Sequence, residues 1–222
     1  MEKTDTKKNV TIVTVLGMCI MSALVLSVFT PFSQFAGYSL FVGLGCFFLV
    51  EWMDKTPSEE SGLRFSTFLT DLKKCSPLLW LVLPVVSSVG SIIVGKLLFQ
   101  NMYVDHVMGR TGTILDYSNL LVLIPEMIIA ALGEEIAFRG FFTGRGMKMI
   151  GFWPAALISS VVFALAHLST GNNAVVIFDL VTIFIDAIIY ANVYRKSGNC
   201  LISTVSHLII NAAGLIIVFA FF

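Results

Sequence analysis

Apolar residues along this chain gather into long stretches separated by short polar connections. Seven of them approach the length that spans a bilayer: Val10–Phe29, Tyr38–Trp52, Pro77–Phe99, Leu120–Arg139, Phe152–Leu168, Ala174–Tyr194 and Leu201–Phe222. A helix needs about 20 apolar residues to cross the hydrocarbon core, somewhat fewer where neighbouring helices help. The pattern predicts an all-α, polytopic transmembrane helical bundle of about seven spans, with six to eight as the range. Between the second and third spans, Phe65, Phe68, Leu69 and Leu72 fall at i, i+3, i+4 and i+7, while Arg64, Asp71, Lys73 and Lys74 supply polar positions. This predicts a short amphipathic helix over Ser61–Lys74 on the cytoplasmic leaflet, a solvated linker being the alternative. The stretch from Gln100 to Asn119, with glycine and mixed polarity, reads as a lid or a connector. The chain divides into N-terminal spans (1–119, with the linker at 53–76) and a C-terminal set of four spans (120–222).

Composition agrees. Hydrophobic residues make up 57% and charged residues 13% of the chain, well away from a soluble domain. The formal net charge of zero gives no reason to expect a nucleic-acid partner. Cys19, Cys46, Cys75 and Cys200 are scattered without ligand spacing and read as reduced packing residues. Lysines precede the first apolar run without an Ala-x-Ala-like cleavage site, which predicts a retained signal anchor. Lys3, Lys7, Lys8, Lys55, Arg64, Lys73, Lys74, Arg139, Arg145, Lys148, Arg195 and Lys196 fall on one side of a seven-span arrangement, leaving Arg110 and a snorkelling Lys96 of the fourteen. That places the N-terminus in the cytoplasm and the C-terminus outside a cytoplasmic membrane.

Polar residues inside the spans are few: Glu126, Glu134, Glu135, Arg139, His167, Asp179, Asp186, His207 and Asn211. An ionised side chain at mid-bilayer costs on the order of a few kcal/mol, so each needs a partner or a task. Glu135 and Arg139 are i,i+4 on one helix face and can neutralise each other. Glu134 lies about 100° round the helix from Glu135 and must find its partner elsewhere. His167 on the fifth span is one candidate; His207 and Asn211, i,i+4 on the last, are others. A buried carboxylate can serve as general base on water, and imidazole and carboxamide groups can donate to a developing oxyanion. This is a kit for amide hydrolysis. The same Glu134, His167 and His207 could instead hold zinc with an open water position, although HExxH is absent. Taken singly, each residue also has a plain reading as an interhelical hydrogen-bond partner.

Glu-Glu-x-x-x-Arg, then Phe-x-x-x-His, then His-x-x-x-Asn, in that order on successive spans, resembles the CPBP family. That family includes type II CAAX prenyl endopeptidases, bacteriocin-processing and self-immunity proteins, and lysostaphin-resistance-like proteins. The resemblance covers Leu120 to Gly214 and makes 120–222 a CPBP-like catalytic core. It implies an intramembrane endopeptidase in which Glu134 and His167 activate water while His207 and Asn211 stabilise the oxyanion. Glu135 and Arg139 would orient and support these groups, and Phe163 would set the position of His167. It further implies a membrane-associated peptide or lipidated protein as substrate and a bacterial origin, while the absence of HExxH and the Asn of the last motif favour no required cofactor, zinc being the alternative.

Two other functions are compatible with the residues: a non-catalytic membrane partner in self-immunity or sensor-kinase signalling, and a small transporter using Glu126, Asp179 and Asp186 as a proton path. The transporter lacks any sign of inverted halves. Depth poses a further question. At about 1.5 Å per residue, His167 lies some 22 Å along its span from Phe152, whereas His207 is only about 9 Å beyond Leu201. Convergence requires the fifth span to begin later, to tilt, or to start with an interfacial turn near Trp153-Pro154.

Overall fold

A computed structural model describes residues 2–57 and 60–221. Phe222 of the predicted last span, positions 58 and 59 of the linker, and the side chain of Lys3 lie outside the described residues. Among these residues the chain forms ten α-helices and no strand: α1 Glu2–Leu26, α2 Tyr38–Met53, α3 Phe68–Lys73, α4 Leu83–Phe99, α5 Asn101–Thr111, α6 Leu120–Glu134, α7 Gly144–Ile150, α8 Phe152–Ala166, α9 Asn173–Ser197 and α10 Cys200–Phe221. Five stretches are long and apolar enough to cross a membrane: Thr6–Phe29, Ser33–Met53, Leu78–Phe99, Asn173–Ser197 and Cys200–Phe221. Helix α8 is a shorter apolar one. The chain is a multi-pass, all-helical membrane protein, and leucines, isoleucines and phenylalanines such as Leu16, Phe41, Leu97, Ile129 and Ile177 point outward from the bundle.

The predicted fourth span is one continuous helical rod. Helix α6 passes into a nine-residue π-helix, Glu135–Thr143, and then into α7. Every residue of the π-helix is buried. Helices α2 and α10 lie directly against it: a side chain at Gly43 would collide with Ala137, and one at Gly140 with Cys200 and Phe47. Small residues at these crossings let the backbones approach, as helices in lipid require. Arg139, assigned by sequence to the basic side, is instead 1% exposed inside the bundle. Its long side chain folds back along the rod to Glu135, where both charges are neutralised. Arg145 bridges to Glu51 at 2.8 Å and to Asp54, locking α7 to the end of α2.

The length of this rod answers the question of depth. It continues to Ile150 before the turn at Gly151 (φ 84°), so α8 starts well beyond the level of Arg139. Ser159 Oγ donates to the Phe138 carbonyl at 3.1 Å, and Gly140 lies beside Cys200. From those two levels His167 is eight residues and His207 seven residues further along, or about 12 and 10 Å of helix rise. The two histidines therefore reach one depth without an interfacial turn.

The linker departs from its periodicity. Only Phe68–Lys73 is helical, and Asp71, expected on the polar outer face, is 1% exposed. It accepts from Arg64 Nη2 (3.0 Å), Thr67 Oγ1 (2.7 Å), Lys74 Nζ (2.6 Å) and Asn199 Nδ2 (3.0 Å). Burial alone would raise the Asp71 pKa; the donors Lys74, Thr67, Asn199 and Arg64 outweigh it and hold the carboxyl well below the usual range. Phe68 and Leu72 pack beside Cys75, Val193 and Ile202, while Phe65 and Leu69 face outward. A saturated buried carboxylate outweighs the apolar stripe, and the segment is bolted to the α9–α10 corner.

Gln100–Asn119 is more than a connector, since α5 folds back over α9. Arg110 donates to Asp179 from Nε (2.9 Å) and Nη2 (3.3 Å), and His106 Nε2 stands 3.5 Å from the same carboxylate. Asp186 accepts from Ser87 Oγ of α4 at 2.5 Å. Asp179 and Asp186 do share a face, and it is turned to α4 and α5. Glu126 accepts from the backbone N–H of Asp116 at 2.8 Å, closing the loop before α6.

Candidate active site

The π-helix begins one residue after Glu134, and its wider turn re-aims the residues that follow. Segments of this kind recur at functional sites. Glu134 Oε1 lies 3.9 Å from His167 Nε2, and Oε2 lies 3.7 Å from His207 Nε2. The two imidazoles flank the carboxylate, one from the end of α8 and one from the second turn of α10. The side chains of Glu134 and His167 are each 22% exposed, that of His207 9%, and that of Glu135 0%. Only the first glutamate can meet water or a substrate.

The second glutamate supports from behind. Glu135 Oε1 is 3.2 Å from Arg139 Nη1 and 3.1 Å from His207 Nδ1. The sequence separates the two glutamates by helix face, yet both reach the same imidazole, one at each ring nitrogen. Arg139 also donates from Nη2 to the Ala187 carbonyl at 3.2 Å. Its guanidinium lies over the rings of Phe163 (4.3 Å) and Tyr190 (5.0 Å).

The bonds fix which nitrogen carries hydrogen. His167 Nδ1 is 2.8 Å from the Phe163 carbonyl oxygen, which can only accept. Nδ1 therefore donates, and in the neutral ring the Nε2 lone pair faces Glu134. For His207, the carboxylate of Glu135 accepts from Nδ1–H, so Nε2 is left to face Glu134 and the open side. The Phe163 ring is 4.6 Å from that of His167 and T-shaped to Phe138 at 5.0 Å. Asn211 follows His207 by one turn of α10, half-buried, and its side chain makes no hydrogen bond with any other described residue. Its carboxamide remains available as a donor.

Glu134, Glu135, Arg139, Phe163, His167 and His207 thus come together, and Asn211 lies one helical turn beyond His207. Glu126, Asp179 and Asp186 have partners of their own on other elements. No group of three or more His, Cys, Asp or Glu side chains among the described residues is arranged to hold a metal ion. Tyr190 is a contact that sequence reading missed. Its ring stacks on His207 with centroids 4.6 Å apart and planes 16° apart. The Arg110–Asp179 pair was also missed but could have been read, because a buried carboxylate at that end had few cations to choose from.

Residues 116–213 match the family model of the type II CAAX prenyl endopeptidase Rce1-like proteins, and this stretch contains all seven site residues. The match is consistent with the CPBP family that the three motifs indicated. No curated protein and no solved structure matches the chain. The matched family supports a CAAX-type intramembrane protease in general.

Proposed function

We propose that the protein is an intramembrane endopeptidase that hydrolyses a peptide bond of a membrane-associated peptide or lipidated protein. The observation that carries this is the division of labour between the glutamates: Glu134 is open and lies between two Nε2 atoms, while Glu135 is fully buried against Arg139. Glu134, with the Nε2 lone pair of His167 opposite, takes a proton from water and the resulting hydroxide attacks the scissile carbonyl carbon. Negative charge develops on the carbonyl oxygen. His207, its Nδ1–H held by Glu135, and the Asn211 carboxamide stabilise that oxygen. The tetrahedral intermediate collapses with cleavage of the C–N bond, and the Glu134 carboxyl returns its proton to the leaving amine. Each step balances with the chain's own groups, so we propose a metal-free reaction, as the lack of HExxH favours. The basic residues at the ends of α2, α7 and α9 support a cytoplasmic N-terminus in a bacterial cytoplasmic membrane.

The test compares wild type and Glu134→Gln in proteoliposomes with a prenylated peptide ending in a CAAX motif and with unprenylated membrane-anchored peptides. Glutamine keeps the shape and removes the base, so cleavage should fall by about 10²- to 10⁴-fold at unchanged protein level. Full cleavage by Glu134→Gln would overturn the reading and leave the non-catalytic membrane partner in its place.

A further inference from the structure

We infer that Tyr190 is a positioning residue of this site, fixing the plane of the His207 imidazole and seating Arg139 behind Glu135. The inference rests on the peptidase reading and deepens it. Tyr190 lies on the face of α9 formed by Ile183, Ala187 and Tyr194, all buried. Ala187 is small enough for Arg139 to reach its carbonyl. One turn further on, the Tyr190 ring meets both groups that contact Glu135: it lies flat on His207 at 4.6 Å and 16°, and 5.0 Å from the Arg139 guanidinium.

A histidine needs this help because rotation about its ring-bearing bond is broad and has no sharp staggered wells. The hydrogen bond from Nδ1 to Glu135 anchors one point of the ring but leaves the plane free to pivot about it. Phe163 approaches His207 from another side, T-shaped at 6.2 Å, and restrains it only loosely. The parallel face of Tyr190 removes the remaining freedom, so Nε2 stays aimed at Glu134 and at the space beside it. Offset-stacked aromatic pairs of this kind stabilise their geometry beyond area burial. A displaced catalytic group costs rate far out of proportion to its displacement, roughly 10²-fold for about 1 Å. The tyrosine hydroxyl has no part in this argument, and phenylalanine should serve as well.

The experiment uses the full chain in detergent micelles. Its three histidines make ring-labelled [13C]histidine spectra simple to assign, with His207→Gln identifying the His207 signal. In wild type and Tyr190→Phe the His207 ring proton should lie upfield from stacking; in Tyr190→Leu, or Tyr190→Met should leucine not accumulate, it should move downfield and broaden. With the prenylated peptide, Tyr190→Phe should retain kcat within about 2-fold, whereas Tyr190→Leu should lose roughly 10- to 100-fold in kcat with KM held within about 2-fold. A wild-type His207 signal without the upfield shift would overturn the inference. So would wild-type kcat in the leucine variant, or a phenylalanine variant as slow as leucine. Glu134→Gln, run in parallel, separates the two claims: if it cleaves like wild type, or if neither cleaves, the peptidase reading fails and the spectra alone decide the positioning role.

Discussion

Glu135→Gln should weaken the fold, and Glu134→Gln should not. In wild type the Glu135–Arg139 pair is 0% and 1% exposed, so removing the anionic partner leaves a guanidinium buried without its countercharge. Breaking a buried pair in this way costs about 3–5 kcal/mol. Two features offset part of it. Glutamine retains an acceptor oxygen for His207 and Arg139, and the rings of Phe163 and Tyr190 still face the cation, each such contact being worth about 0.5–2 kcal/mol. A net loss of about 2–4 kcal/mol follows, or roughly 4–16 °C in Tm at about 2–4 °C per kcal/mol for a chain of this size. Glu134 is part-exposed and has no partner nitrogen nearer than 3.7 Å, so its glutamine variant should unfold within about 2 °C of wild type. The assay follows thiol labelling by a fluorogenic maleimide on heating, with exposed Cys19 and part-exposed Cys46 replaced by serine. Cys75 and Cys200 are buried and react only on unfolding. The double variant Glu135→Gln/Arg139→Gln should regain part of the loss, which measures the coupling directly. Equal Tm values for wild type and Glu135→Gln would refute the reasoning, because they would mean that Arg139 needs no anion.

Three further outcomes are expected. Cleavage should survive exhaustive chelation by a strong zinc chelator; loss restored by stoichiometric zinc would make Glu134, His167 and His207 metal ligands. Because the folded-state pKa of Asp71 is depressed, its stabilisation is present above the unfolded value of about 3.9 and is lost as the pH falls towards the folded value. Tm against pH should therefore show Asp71→Asn well below wild type at pH 7 and the gap narrowing below about pH 4; a constant gap would show that the bonds to Asp71 do not favour its charged form. In a cysteine-free background, Lys148→Cys and Lys196→Cys should label only after cells are permeabilised and Ser118→Cys in intact cells; the reverse pattern would invert the topology.

The site was legible in the sequence because each of its three motifs is local. Glu135–Arg139, Phe163–His167 and His207–Asn211 are each one helical turn, and a turn is the range over which sequence spacing fixes geometry. What joins them was hidden. The π-helix arises in a stretch buried on all sides, so no change of hydrophobic period marks it. Its effect is that both glutamates reach His207, which i,i+4 reasoning on a regular α-helix separates. Tyr190 has no motif neighbour; its place depends on how α9 crosses the rod. The linker misled for the opposite reason, since its apolar period was genuine but weaker than the four residues that bind Asp71. Depth was misjudged because the fourth span was ended at Arg139, eleven residues before the rod turns.

The spacing of the charged partners also sets an order of events at the ribosome. Glu135 and Arg139 emerge together and can enter lipid as a neutral couple within one turn. Glu134 cannot: His167 follows it by 33 residues and His207 by 73, so the second imidazole arrives roughly 4 to 15 s of synthesis later at about 5–20 residues per second. Over that interval the acid of the α6 rod is without its full set of partners. The nascent chain must then keep this segment at the insertion machinery, or against α1 and α2, until α10 arrives. A ribosome-tethered chain stopped before Cys200 should still crosslink to the translocon through α6, and one extended past Asn211 should have let go.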